Sequence, residues 1–242
     1  HPVILKRCYH EPTMRRVCPH TEERDMTSLF DNARIEHRAR LGNTLVKRLS
    51  EKGFHASYVP SREEALAEVL KIIPEGASVG IPGSVTIREI GAMEKLTERG
   101  CKVIHHWDPS LSPEERRDAL QQELLADFFL TSSNALTLDG LLVNIDGNGN
   151  KVSGMAWGKN TLIFVIGLNK VANTLDDAIA RTRNMATPPN SLRLGLKTPC
   201  TATGVCVNCN SPDRVCNALL VLERATGGRT SHVILVGEDL GF

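Results

Sequence analysis

The sequence predicts an α/β protein with a mostly parallel sheet covered by helices on both faces, a three-layer α/β/α arrangement. Three observations carry this expectation. Strand-like and helix-like stretches alternate from Met26 onward, the pattern that places crossover helices against a parallel sheet. Residues 161–166 form a short, nearly continuous apolar run, as a strand buried on both faces requires. The chain has 242 residues, 41% of them hydrophobic, which is enough for one large core without disulfide support.

The elements follow in order. Leu29, Ala33, Leu41, Leu45, Val46 and Leu49 fall near a helical period, and Gly53 is a stop signal. Residues 54–59 read as a strand. Ser61 and Glu64 form a capping-box pattern opening a helix to about Ile73. A Pro74-Glu75-Gly76 turn precedes a strand at 77–81 and a helix from about Thr86 to Arg99, which Gly100 ends. Residues 101–106 form the next strand. Ser112, Pro113 and two acids then supply a cap, a proline in the first turn and negative charge at the positive end of the dipole. Residues 127–131 read as a strand, and 135–138 and 141–145 as a hairpin across Asp139-Gly140. A strand at 161–166 and a helix at 174–185 follow. The final expectation is a hairpin pairing 218–223 with 232–236 across Gly227-Gly228.

The formal net charge is +1, so no basic field holds nucleic acid through its phosphates. No apolar run approaches the roughly 20 residues of a membrane span. Seven cysteines, four of them between Cys200 and Cys216, fit a reducing compartment better than a secreted disulfide scaffold. The expectation is a cytoplasmic protein without a secretory signal. Residues 1–25 show neither period and are read as an irregular N-terminal extension, with Met26 as the natural start of the domain that runs to 242. Cys8-x-His10 and Cys18-x-His20 lie in that extension and are taken as incidental.

Four constellations bear on chemistry. Cys200, Cys206, Cys209 and Cys216 have the spacing C-x5-C-x2-C-x6-C, inside an irregular segment at about 186–217. Thiolates close together in a loop suit a soft metal. The single C-x2-C and irregular spacing favour an iron–sulfur cluster, with zinc as the alternative. Second, Gly80-Ile-Pro-Gly83-Ser84-Val-Thr86 joins a strand to a helix, where backbone N–H groups and hydroxyls suit phosphate or carboxylate. Arg88 and Glu89 lie in that helix's first turn. Third, Asn134, Asp139, Gly140, Asn144 and Asp146 form a dense polar set, able to bind a small acid or sugar or to position a base. Turn chemistry explains Asp139-Gly140 equally well. Fourth, His105 and His106 end a strand, where α/β sites commonly sit. Asn134, Asp139, Asp146 and Glu89 are the candidate catalytic groups.

Three stretches together resemble the LUD family, named for lactate utilisation. They are Gly80-x-x-Gly-Ser-Val-Thr-x-Arg-Glu-Ile-Gly91, then Thr-Ser-Ser-Asn134-Ala-x-Thr-x-Asp-Gly140 with Asn-Ile-Asp-Gly-Asn-Gly-Asn150, and the cysteine block from Thr198 to Asn217. The cysteine block resembles one branch of that family. The resemblance implies a fold like the ribose-5-phosphate isomerase and CoA-transferase group. It also implies a part in oxidising lactate to pyruvate beside sister subunits that carry iron–sulfur clusters. In the related sugar-phosphate isomerases an Asp stands where this chain has Asn134, and an amide cannot trade a proton at neutral pH.

The leading expectation is therefore an accessory or electron-transfer subunit of lactate oxidation that binds a small anionic ligand, possessing a Cys-ligated centre and capable of homodimerising. An isomerase-like or CoA-transferase-like enzyme and a non-catalytic metal-binding regulatory module are the alternatives.

Overall fold

A computed structural model of the chain describes residues 26–242. The expected extension and its Cys/His pairs lie outside them.

Helix α1 (Met26–Glu51) leads into β1 (His55–Val59), α2 (Arg62–Ile72) and β2 (Ser78–Gly80). Next come α3 (Val85–Glu89), α4 (Ala92–Glu98), β3 (Lys102–Ile104), α5 (Pro113–Leu125) and β4 (Phe128–Thr131). The hairpin β5 (Ala135–Thr137) and β6 (Leu142–Asp146) precedes α6 (Asn150–Ala156) and β7 (Thr161–Gly167). A 3-10 turn (Leu168–Lys170), β8 (Val171–Ala172), α7 (Leu175–Arg181), a π-helical turn (Thr182–Ala186), α8 (Thr187–Arg193) and α9 (Pro199–Thr203) follow. Strands β9 (Ala218–Leu222) and β10 (Ser231–Val236) complete the chain.

Six strands form one parallel sheet in the order β1-β10-β7-β4-β2-β3. Successive side chains alternate between its faces, and both faces are apolar. Ile163, Val165, Ile234 and Val236 pack under Val69 of α2, Ile87 of α3 and Leu96 of α4. Leu162, Phe164, Ile166, Val233 and Leu235 pack on the other side against Leu45 and Leu49 of α1 and Met155 of α6. A smaller sheet, β8-β5-β6-β9, covers that second side through Leu136, Leu142 and Leu222. These are the three layers that the patterning predicts.

Four elements differ from expectation. The terminal hairpin does not form. β10 lies between β1 and β7, parallel to both, whereas β9 runs antiparallel to β6 in the smaller sheet. The reason is burial: Val233 to Val236 are buried on both faces, as a central strand must be, whereas β9 leaves Leu219 exposed as an edge strand can. The helix expected over 86–99 is broken at Gly91, whose left-handed φ of 70° ends α3 and starts α4. The helix expected at 174–185 stops as α-helix at Arg181 and continues through the π turn into α8. Finally, α6 arises where the sequence reads as turns. Its N-cap is Gly149, which has no side chain, and Asp146 replaces the missing cap by accepting from the N–H groups of Lys151 (2.8 Å) and Val152 (3.2 Å).

No helix among the described residues is long and apolar enough to cross a membrane.

Candidate functional site

The strand order fixes where a ligand crevice opens. From β2 the chain moves outward to β3, whereas from β4 it moves the opposite way to β7. The segments leaving the carboxyl ends of β2 and β4 therefore diverge, and open α/β sheets bind ligands at such a point. A cleft with about 200 Å³ of space lies there. Its walls include Ser84 and Thr86 after β2, Ser132 and Asn134 after β4, and the two lysines Lys151 and Lys170.

Lys170 follows the buried strand β7 and is only 3% exposed. Its Nζ donates to Thr86 Oγ1 at 2.8 Å and to Ser132 Oγ at 3.0 Å. Desolvation, reinforced by Arg181 and Lys151, pushes its pKa down to about 7, and Glu89 alone opposes the shift.

Lys151 opens the first turn of α6 and donates to Asn134 Oδ1 at 2.8 Å. Desolvation pushes it down to about 8 against the pull of Asp146. Asn134 is also a structural hub: its Oδ1 accepts from Ile145 N (3.0 Å), and its own N–H donates to Asn144 Oδ1 (3.2 Å). Asn144 is fully buried and donates from Nδ2 to Ser133 Oγ. These amides knit the end of β4 to β6 and hold Lys151 toward the cleft.

The far wall carries His106, whose Nδ1 lies 2.7 Å from Oε1 of the buried Glu123. Burial raises the Glu123 pKa, and the contact with His106 works against that rise. Glu123 Oε2 has no hydrogen-bond partner among the described residues. Trp107 follows His106, and the Arg88 guanidinium lies 4.1 Å from its ring centroid, a cation–π contact. Arg193 also lines the cleft, and Asn190 Oδ1 orients it. Two other carboxylates nearby are occupied. Asp146 caps α6, and Glu89 Oε2 accepts from Gly241 N at 2.6 Å. The cleft therefore presents cations and hydroxyls.

The sequence candidates divide by position. Gly83, Ser84, Thr86, Asn134 and Asp146 line the cleft, while Asn144 stands behind it as support. Gly80 has another role: a Cβ there would lie 2.0 Å from the backbone oxygen of Glu123, so glycine lets α5 cross β2 closely. Asp139 and Gly140 are not part of the cleft. They occupy the β5–β6 turn beside Arg48 of α1 and Lys52 just after it, with Asp139 Oδ1 accepting from Thr137 Oγ1. The short reach of a two-strand hairpin carries its tip away from the carboxyl edge of the main sheet.

The four cysteines lie on α9 and the loop that follows it. Cys200 is buried in α9, with its sulfur 3.1 Å from Thr198 Oγ1 and 3.9 Å from Ser191 Oγ. Cys206, Cys209 and Cys216 lie on the following loop, which Arg214 straps by donating to the carbonyl oxygens of Cys209 and Cys216. No group of three or more Cys, His, Asp or Glu side chains among the described residues is placed to hold a metal ion.

Lys151, Lys170 and Arg193 were not candidates from sequence. One signal pointed to Lys170: it is a lone cation at the carboxyl end of an apolar strand. Lys151 carried no such signal, because its role depends on Asn134 from a different segment.

The LUD domain profile matches residues 43–236. Among solved structures, the chain is similar to that described as "Crystal structure of a duf162 family protein from deinococcus radiodurans", with a TM-score of 0.49 and 16% identity over 82% of this chain and 98% of that one. No curated protein matches. With the domain match spanning most of its length, this chain belongs to the LUD-domain family.

Proposed function

We propose that this protein is an accessory subunit of lactate-to-pyruvate oxidation whose LUD domain binds a small 2-hydroxy or 2-oxo carboxylate in the cleft between β2 and β4. The redox centres belong to sister subunits in this reading. The observation that carries it is the hydrogen bonding of Lys170. An ammonium has three N–H donors, and Thr86 and Ser132 use two of them. The remaining donor of a nearly buried lysine in the cleft wall calls for an acceptor, which a ligand oxygen supplies. Lys151 and Arg193 add positive charge for a carboxylate, and Asp146 on the cleft wall is engaged in capping α6.

Calorimetric titration with lactate, pyruvate, inorganic phosphate and phosphosugars tests the reading. Saturable binding of lactate or pyruvate, weakened in Lys170→Met, supports it. Binding of phosphosugars alone would overturn it in favour of an isomerase-like enzyme. The subunit role is tested by lactate-dependent electron transfer in the assembly with and without this chain, and activity unchanged by its omission overturns that part.

A further inference from the structure

Lys170 is unusual among buried cations. It is 3% exposed, and its partners are two hydroxyl groups rather than a carboxylate. A buried ammonium without a counter-ion is costly, and proteins usually resolve that cost by neutralising the amine. Hydroxyls serve either state, since Thr86 and Ser132 can accept from an ammonium or donate to a neutral amine. Lys151 differs in its partner: it donates to Asn134 Oδ1, which can only accept, and Asp146 stands near it. Lys170, held by hydroxyls, can be bound equally well as an amine.

We propose that Lys170 Nζ is a nucleophile that condenses with the C2 carbonyl of a 2-oxo acid held in the cleft, forming a protonated imine. This rests on the reading that the cleft takes a small carboxylate, and it adds which carbonyl compound and which atom react. In the addition step, the neutral amine forms a bond to C2 and the carbonyl oxygen becomes a hydroxyl. That oxygen then leaves as water. Of its two hydrogens, one comes from the amine and one from a proton donor. His106, paired with Glu123, lines the same cleft and can supply that proton. Adding water back releases the 2-oxo acid and restores the amine, so no oxidant or reductant is consumed. The carboxylate of the ligand pairs with Lys151. Desolvation and neighbouring cations bring the Lys170 pKa to about 7, which leaves a large neutral fraction at physiological pH.

The test is reductive trapping. The full chain is incubated with pyruvate and cyanoborohydride, digested, and mapped by mass spectrometry, while pyruvate binding is measured separately by calorimetry. The expected result is a single reduced-pyruvate adduct on Lys170, formed with a pyruvate dependence matching the binding curve and suppressed by excess lactate. Lys170→Arg abolishes that adduct, and a melting curve checks that the variant folds; the wild-type map decides the matter if it does not. Pyruvate binding without an adduct on Lys170, or labelling spread over surface lysines, overturns the imine and leaves the carboxylate site standing. Absence of both binding and adduct overturns the two together.

Discussion

Lys170 donates to Thr86 across 84 positions of sequence, joining the segment after β7 to the first turn of α3 over the mouth of the switch point. Gly241 closes over the same pair, since a Cβ there would lie 2.6 Å from Thr86 Oγ1 and 3.1 Å from Lys170 Nζ. The cleft floor is therefore assembled from three distant segments around one amine.

Replacing that amine separates binding from stability. Lys170→Met removes a hydrogen-bond donor to the bound ligand worth roughly 0.5–1.5 kcal/mol, so affinity falls about 2- to 10-fold. Folding stability at neutral pH holds or rises, because a thioether of similar length has no charge to desolvate. Calorimetry and urea denaturation check the two halves. A destabilised variant would show that Lys170 is chiefly structural.

The same residue gives stability a pH signature. Lys170 has a folded pKa of about 7, below its unfolded value, so between those values the unfolded chain binds the extra proton. Stability therefore rises with pH from neutral toward alkaline conditions, and the burial penalty is fully present below about pH 7. Lys151, with a folded pKa of about 8, adds a slope of the same sign. Glu123, raised by burial, contributes the opposite sign. The informative quantity is the slope of wild type minus that of Lys170→Met between pH 7 and 9, expected to be positive in urea titrations.

Glu123 tests the buried pair. Glu123→Gln keeps an acceptor for His106 and removes a carboxyl whose burial disfavours its charge, so thermal stability at neutral pH is unchanged or higher. Glu123→Ala deletes buried volume and costs about 2–4 kcal/mol. Equal losses in the two variants would show that the ionised carboxylate itself holds this region.

Gly80 is a packing glycine. Gly80→Ala forces a methyl within 2.0 Å of a backbone oxygen of α5, which cannot swing aside as a side chain would. The expected loss is about 3 kcal/mol, read by chemical denaturation. A near-neutral effect would mean that α5 shifts freely on β2.

The cysteines divide by accessibility. Cys206 and Cys209 are partly exposed, whereas Cys101, Cys200 and Cys216 are buried. Brief alkylation of the metal-free protein, mapped by peptide, labels Cys206 and Cys209 and spares Cys101, Cys200 and Cys216 until unfolding. Protection of Cys206 and Cys209 that a chelator removes would instead establish a ligated centre in a different arrangement of the loop.

Much of the fold was legible because its causes are local. The caps at Ser61 and Ser112, the turn at Asp139-Gly140 and the apolar run of β7 are each written in contiguous residues, and the structure shows each of them. Local signals misplaced β10, whose neighbours β1 and β7 are remote in sequence. They also hid α6, whose cap comes from Asp146 rather than from its own first residue.

The sequence by itself determined the layered α/β class and the loops Gly83–Thr86 and Ser132–Asn134, because periodicity and turn chemistry are properties of short segments. Only the tertiary structure decided that Lys170 and Lys151 belong to the cleft and that Asp139 does not. Those outcomes depend on strand order. Strand order is settled by which apolar strands bury both faces at once, and that competition involves the whole chain.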